Sequence, residues 1–476
     1  MQPALGGCAG SRLAGLAWDR QFEGLAPMSV TTGIRAALRA ELAPPWWTAP
    51  ALLTLAIAAA VVFAPYPPLQ DFPEWAYQGE LLARLARGLP AAEASLVAHP
   101  VPNSLAQALL GLLSLVLPAT LAARVFLLGL LGAGLAVALA LARQRQPASA
   151  GAFAGVLIVS IFCNTPFWNG YVNYQLALLL FAAWFVVPAA RRAEALPILG
   201  FSLPIFLAHA AVFAAFCILI GVRGLLRRRL WPALLGLAPA LLFATWYVLA
   251  KAPVAEEPAA GIGGLGAFLA YKAYTLTKLG PYHNFVFATG GDDALRPALY
   301  WAGAAANLLY TAILGAALGA GLWRAARDRV LSASFVLAAL LLLGGFLVLP
   351  RVAQHVINPG ERLMIPGLLL LLLAAPLPPL ALRPLAALGG LALAANLLVL
   401  AMPGIPWATP VHFRDMAAMG GARSLFRHRP TSFACKWEEL RHGEASGEAP
   451  RLPISFRTSL LATAARPFDC PVPKGP

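Results

Sequence analysis

Apolar stretches of roughly 20 residues, parted by short connectors whose charges are almost all arginine, recur along most of this chain. A segment crossing about 30 Å of hydrocarbon must satisfy its own backbone polar groups, and in a continuous segment only a helix of about that length does so. Such stretches cover 46–64, 104–142 with an interruption at Pro118, 150–166, 174–190 and 196–221. They continue over 230–250, 297–323, 330–349, 363–382 and 384–402. At 60% hydrophobic and 12% charged residues, with a mean hydropathy of +0.72, the chain has too little polar surface to coat a soluble globule. The expected fold class is all-α, a polytopic transmembrane helical bundle.

A net charge of +15 could point to nucleic acid, but the basic residues fall as brief clusters between apolar stretches. Arg143 and Arg145, Arg191 and Arg192, Arg223 with Arg227 to Arg229, then Arg324, Arg327, Arg329 and Arg383 all occupy short connectors. That is how cytoplasmic loops are marked, so no nucleic-acid partner is expected. Placing all these connectors on one side requires 196–221 to cross twice, turning near His209, with Pro204 favouring the break. It also requires 104–142 to cross a net once, with 104–117 as a tilted or re-entrant piece. The count is then about 11 spans, amino terminus inside and carboxyl terminus outside.

Three regions follow: a cytoplasmic lead over 1–45, a membrane domain over 46–402 and an outer tail over 403–476. Within the lead, Leu5-Gly6-Gly7-Cys8 lacks the flanks of a lipoprotein site, and Met28, followed by Arg35 and Arg39, is an alternative start. The long connectors, 65–103, 251–296 and 351–362, all fall on the outer side. Apart from Asp19, Glu23, Glu41, Glu194 and Asp328, every Asp and Glu lies in these connectors or the tail. Soluble-side chemistry is therefore expected outside the membrane. No carboxylate sits within an apolar stretch, which argues against an ion-coupled carrier; His209 is the one ionisable candidate there.

Asp71 and Glu74 open the first long connector. Phe72, Trp75, Leu82, Leu85 and Leu89 recur at three-to-four spacing after Asp71, predicting an amphipathic helix along the membrane surface. Capping alone could place both acids, Asp71 accepting a first-turn N–H and Glu74 facing the positive end of the helix dipole.

An early acidic pair and interfacial helix after the first span resemble the GT-C superfamily of multispanning glycosyltransferases. So do Trp168-Asn169-Gly170-Tyr171-Val172-Asn173, the turn at His209, and the Asn358-to-Pro366 run NPGERLMIP. The likeness covers most of 46–402. It implies an enzyme that moves a sugar from a polyprenyl-phosphate carrier to a glycan, lipid or protein acceptor. The Ala, Leu, Arg, Gly and Pro bias suggests a bacterial source, and with the long outer connectors the expected place is the bacterial inner membrane with an extracytoplasmic active side. Glycosyl transfer to a hydroxyl needs a base, for which Asp71, beside Glu74, is the candidate, and positive charge near the departing phosphate. Arg351 and Arg362 flank one outer loop and could supply that charge, or snorkel to the interface with Glu361 pairing to a neighbour. His209 and Asn173 are further substrate-binding candidates. Lys272, Lys278, Tyr282 and His283 could hold a sugar or pyrophosphate, or belong to a solvated helix anchored by tyrosines. Family members often separate the paired acids by one residue where this chain has two, so no cofactor is assigned; a divalent cation, Mg or Mn, is what such a pair could take.

Other polar features read more simply. Asp292-Asp293 after Gly290-Gly291 forms a turn, and His99 and His355 have no second ligand at metal-like spacing, so no metal site is assigned. Cys163 and Cys217 sit in apolar runs as packing residues, while Cys435 and Cys470 share the outer tail and could form a disulfide. Two non-catalytic alternatives stand beside the transferase: a transport or lipid-translocation protein, and an envelope assembly factor whose tail binds a partner.

Overall fold

The computed structural model describes residues 46–64, 67, 69, 71–91, 93–250, 264–282, 295–350, 352–353, 356–357, 359–401, 432–450 and 459–463. They form a helical bundle with two small two-stranded sheets. Residues 1–45, Asp292, Asp293, His283, Arg351, His355 and Cys470 lie outside the described residues, and so do the expected lead, the Asp292-Asp293 turn and the Cys435–Cys470 disulfide.

Helix α1 (Thr48–Phe63) leads to α2 (Phe72–Ala86), strand β1 (Ala94–Leu96), α3 (Ser104–Ser114) and α4 (Ala119–Arg145). Next come α5 (Ala150–Leu157), widened by a π-turn over Ile158–Phe162, the single-turn α6 (Thr165–Trp168) and α7 (Val172–Trp184). The chain continues through α8 (Ala195–Ala208), α9 (Ala210–Leu226), α10 (Leu230–Ala250), α11 (Gly264–Thr277), α12 (Leu295–Arg327) and α13 (Ala333–Val348). Strands β2 (Val352–Ala353) and β3 (Val356–Ile357) precede α14 (Pro359–Ala374), α15 (Pro379–Ala401), α16 (Ser432–Ser446) and β4 (Leu461–Thr463). Among the described residues, 119–145, 230–250 and 305–327 are long and apolar enough to cross a membrane by length and composition; several other apolar helices are shorter.

Contacts between helix ends separate the bundle into two poles. At one, Gln144 donates to the Val186 carbonyl at 3.4 Å, the Arg145 guanidinium lies over the Phe335 ring and Ser332 N–H reaches the Ala374 carbonyl. At the other, Arg124 donates to the Val62 and Ala64 carbonyls, Ser104 to Leu207, and Thr165 to Lys278. The arginine-bearing connectors collect at the first, basic pole. The second holds the connector that carries Asp71.

The break at His209 falls where Pro204 and the lone histidine predict it. His209 is extended, at φ −165° and ψ 123°, and its Nδ1 accepts from the Ala211 N–H as α9 starts. Gly236 of α10 packs against Ile198 near the start of α8, and Ala233, one turn earlier, against Gly224 near the end of α9. The two helices therefore double back and return to the same pole.

Residues 104–117, expected as a tilted or re-entrant piece, hold the 11-residue α3, packed along α2 at the second pole, where Gly79 and Gly111 allow close approach. Two expectations are corrected. The stretch expected over 363–382 is α14 over Pro359–Ala374, because Pro376, Pro378 and Pro379 cluster just beyond it and the next helix starts at Pro379. Helix α2 does not lie with its polar face in solvent: Glu74, Gln78 and Arg84 are buried. The tail covers that face. Trp437 of α16 packs on Phe72, Arg84 donates to the Gly447 and Glu448 carbonyls, and Ser459 donates to Gln78. β4 pairs antiparallel with β1 to fasten the same cover.

Candidate functional site

Asp71 stands at the junction between α2 and the turn after α6. Its backbone N–H donates to the Asn169 carbonyl at 3.0 Å, and Gly170 follows at φ +78°. A β-carbon at Gly170 would lie 2.6 Å from Phe72 N and 2.7 Å from Asp71 N, so only glycine permits this approach. The turn itself is fixed by Asn164, whose side chain accepts from Phe167 N–H and caps α6. Asp71 occupies the cap position of α2, yet its carboxylate makes no capping hydrogen bond. Capping therefore does not account for it.

The charges around that carboxylate come from three separate helices. Glu74 is one turn along α2, paired to Lys436 of α16. Arg362 comes from the start of α14. Burial first, and the Glu74 carboxylate second, raise the Asp71 pKa to about 7, against the opposing pull of Lys436 and Arg362. Asp71 thus sits at the balance point between acid and base near neutrality.

Arg362 is held by an aromatic cradle. Its guanidinium lies 5.3 Å from the Tyr171 ring centre, its carbonyl accepts from the Tyr174 hydroxyl at 3.3 Å, and Tyr174 meets His209 edge-on at 5.1 Å. Arg362 Nη1 is 3.2 Å from His209 Nε2. Guanidinium only donates, and a neutral imidazole offers one lone pair, which Ala211 N–H also seeks at Nδ1. The hold on Arg362 is correspondingly weak. Beside it, Glu361 pairs with Lys278 at 3.1 Å, both side chains buried. Glu361 Oε1, Arg362 Nε and Asn173 Nδ2 are buried without a hydrogen-bond partner. Such orphaned groups are uncommon and gather where something else is to be bound.

Among the residues expected to form a site, Asp71, Glu74, His209, Glu361, Arg362 and Lys278 do come together, with Asn173 on the adjoining turn of α7. Asn173 also accepts from Ala106 N–H, tying α3 to the same place. The Lys272 amine donates to the Phe346 and Leu349 carbonyls, closing the end of α13 beside Gly360. Tyr282 is likewise structural, its backbone bridged by the Asn307 amide and its ring pressed on Gly303. Tyr171, Tyr174 and Lys436 were not singled out individually; the first lies inside the WNGYVN run, whereas nothing local distinguishes Lys436. No family model, curated protein or solved structure matches the chain.

A divalent cation does not fit this arrangement. Glu74 is engaged by Lys436, Arg362 adds a second positive charge near Asp71, and no group of three or more His, Cys, Asp or Glu side chains able to hold a metal occurs among the described residues. An apolar cavity bounded by Thr54, Leu131, Ile158, Phe162 and Gln175 lies deeper in the bundle and shares no residue with the cluster.

Proposed function

We propose that this protein is a membrane glycosyltransferase, using a polyprenyl-phosphate-linked sugar and Asp71 as base. The observation that carries the reading is the convergence of a carboxyl group with a pKa near 7 and a loosely held arginine, from opposite parts of the chain, at the pole away from the basic connectors. On this reading the chain makes about 11 crossings, each crossing helix running between the poles, with the basic pole cytoplasmic. The pole bearing Asp71 then faces the bacterial periplasm, and the donor arrives from the outer leaflet on its lipid.

The chemistry balances with the groups present. The acceptor hydroxyl attacks the anomeric carbon, its proton passes to Asp71, and the bond from that carbon to the phosphate oxygen breaks, releasing polyprenyl phosphate. Arg362 turns from His209 to the departing phosphate, a charge-assisted and potentially bidentate contact. Proton removal by a positioned base is worth about 10²–10⁴ in rate. Asp71→Asn in purified, folded protein is therefore expected to lower transfer from a polyprenyl-phosphate sugar by at least about 100-fold. Unchanged transfer in that variant rejects the role. Lipid flux across vesicles without any transfer product would instead support the translocation reading.

A further inference from the structure

The two ring nitrogens of His209 do different work. His209 is the N-cap of the 17-residue α9, and its Nδ1 accepts from the Ala211 N–H at 3.2 Å. A ring nitrogen that accepts holds a lone pair, so the imidazole is neutral and its hydrogen is on Nε2. Nε2 faces Arg362 Nη1 at 3.2 Å, and a guanidinium has donors only. The cap thus sets one N–H against another, donor against donor. The other tautomer merely moves the conflict to Ala211, a first-turn backbone donor that has no carbonyl within the helix to receive it and cannot turn away.

Nothing beside the pair relieves this opposition. Arg362 Nε is buried without an acceptor, and so is Asn173 Nδ2, one residue before the Tyr174 ring that meets His209. Glu361, the neighbouring carboxylate, is paired with Lys278. The Tyr171 ring takes a face of the guanidinium, 5.3 Å away, and leaves its edge for an acceptor. His209 and Asn173 are 6% and 2% exposed, whereas Asp71, Tyr171 and Arg362 are half-buried. The deeper donors therefore stand behind groups that reach the surface. An oxygen carrying several lone pairs, placed where both N–H groups reach it, removes the conflict, and a phosphate supplies such oxygens.

We infer that His209, in its Nε2–H form, is a second phosphate-binding residue, donating beside Arg362 to an oxygen of the lipid-linked phosphate. The identity of the lipid rests on the transferase reading; the donor role of His209 goes beyond it. The oxygen that draws Arg362 off the imidazole is the one that Nε2–H then meets. An uncharged donor strengthens the hold without a second full charge, so the product phosphate can still leave.

The separate duties of the two nitrogens make the test separable. His209→Asn keeps a capping group near the Nδ1 position and removes the Nε2–H, Asn being among the best N-caps. His209→Gln carries its amide near the Nε2 position and forfeits the cap. Binding of farnesyl phosphate, farnesol and inorganic phosphate is measured by calorimetry on purified protein in phosphatidylcholine nanodiscs, corrected for empty discs, and Tm is recorded for each variant. His209→Asn is expected to keep the native Tm yet bind farnesyl phosphate on the order of tenfold more weakly, with farnesol unaffected. His209→Gln is expected to lose Tm and retain more of the phosphate affinity. Inorganic phosphate binding as tightly as farnesyl phosphate, with the same dependence on His209, upholds the donor role and names the free ion as ligand. Equal farnesyl phosphate affinity in the native protein and His209→Asn overturns it. Nitrogen-15 spectra of histidine-labelled protein read the native chain directly: the resonance lost in His209→Asn must show hydrogen on Nε2, and hydrogen on Nδ1 overturns the inference. Farnesyl phosphate carries no sugar, so these outcomes hold whether or not Asp71→Asn abolishes transfer, and a failed base is told apart from a failed phosphate donor.

Discussion

At the residue scale the protein is governed by how its few carboxylates are placed. Asp71, raised to about 7 first by burial and then by Glu74, loses its proton within the physiological range. A base works only once deprotonated, so transfer is expected to rise through pH 7 and to flatten above pH 8, with an apparent pKa of about 7 for the acid limb. The neighbours then move that limb in opposite directions. Lys436 favours the carboxylate, so Lys436→Gln raises the Asp71 pKa and shifts the limb to higher pH. Glu74 disfavours it, so Glu74→Gln shifts the limb to lower pH. Shifts of about half a unit to one unit are expected for each, read from pH–rate profiles of purified variants. Identical profiles for the native protein and both variants would remove Asp71 from the role of base.

At the scale of elements, the turn between α6 and α7 positions the site more than any helix does. Gly170 combines a positive φ with backbone contact to Asp71 and Phe72. Gly170→Ala is expected to cost about 1–3 kcal/mol for the strained backbone alone. Because the new β-carbon pushes on Asp71 N directly, activity should fall further than Tm does, which thermal scans in detergent and transfer assays would separate. Much at this scale was legible beforehand. His209 and Pro204 interrupted an apolar run too long for one crossing and too short for two full-length ones, and the chain does double back there. The WNGYVN run stood out as a polar island between apolar stretches. The end of α14 is not legible from hydropathy, which continues unbroken through Leu377, Leu380 and Leu382, whereas the helix obeys the prolines. The burial of the α2 polar face could not be read locally: Glu74, Gln78 and Arg84 have the spacing of a wet surface, and what covers them lies more than 360 positions away.

At the scale of the molecule, the separation of two poles is what ties architecture to function. It yields a test that needs no substrate. In a variant lacking the five native cysteines, a cysteine replacing exposed Ala86 should react in intact cells or right-side-out vesicles with a maleimide that cannot cross the membrane. One replacing exposed Arg229 should react only after permeabilisation. The opposite pattern would invert the orientation and, with it, the side on which Asp71 works. What composition made plain was the bundle and the grouping of arginines; the meeting of Asp71 with Arg362 depended on the path of the intervening helices, which hydropathy alone does not trace.

The hold of α16 on α2 has a consequence for biogenesis. Lys436 reaches Glu74 from 362 positions further along the chain, so the charge balance around Asp71 cannot be set until that distant segment has been made. The helices made earlier must wait for this late segment to dock on α2 before Asp71 acquires its final acidity. A ribosome that stalls after α15 would leave Asp71 and Glu74 in place without the lysine charge that offsets them.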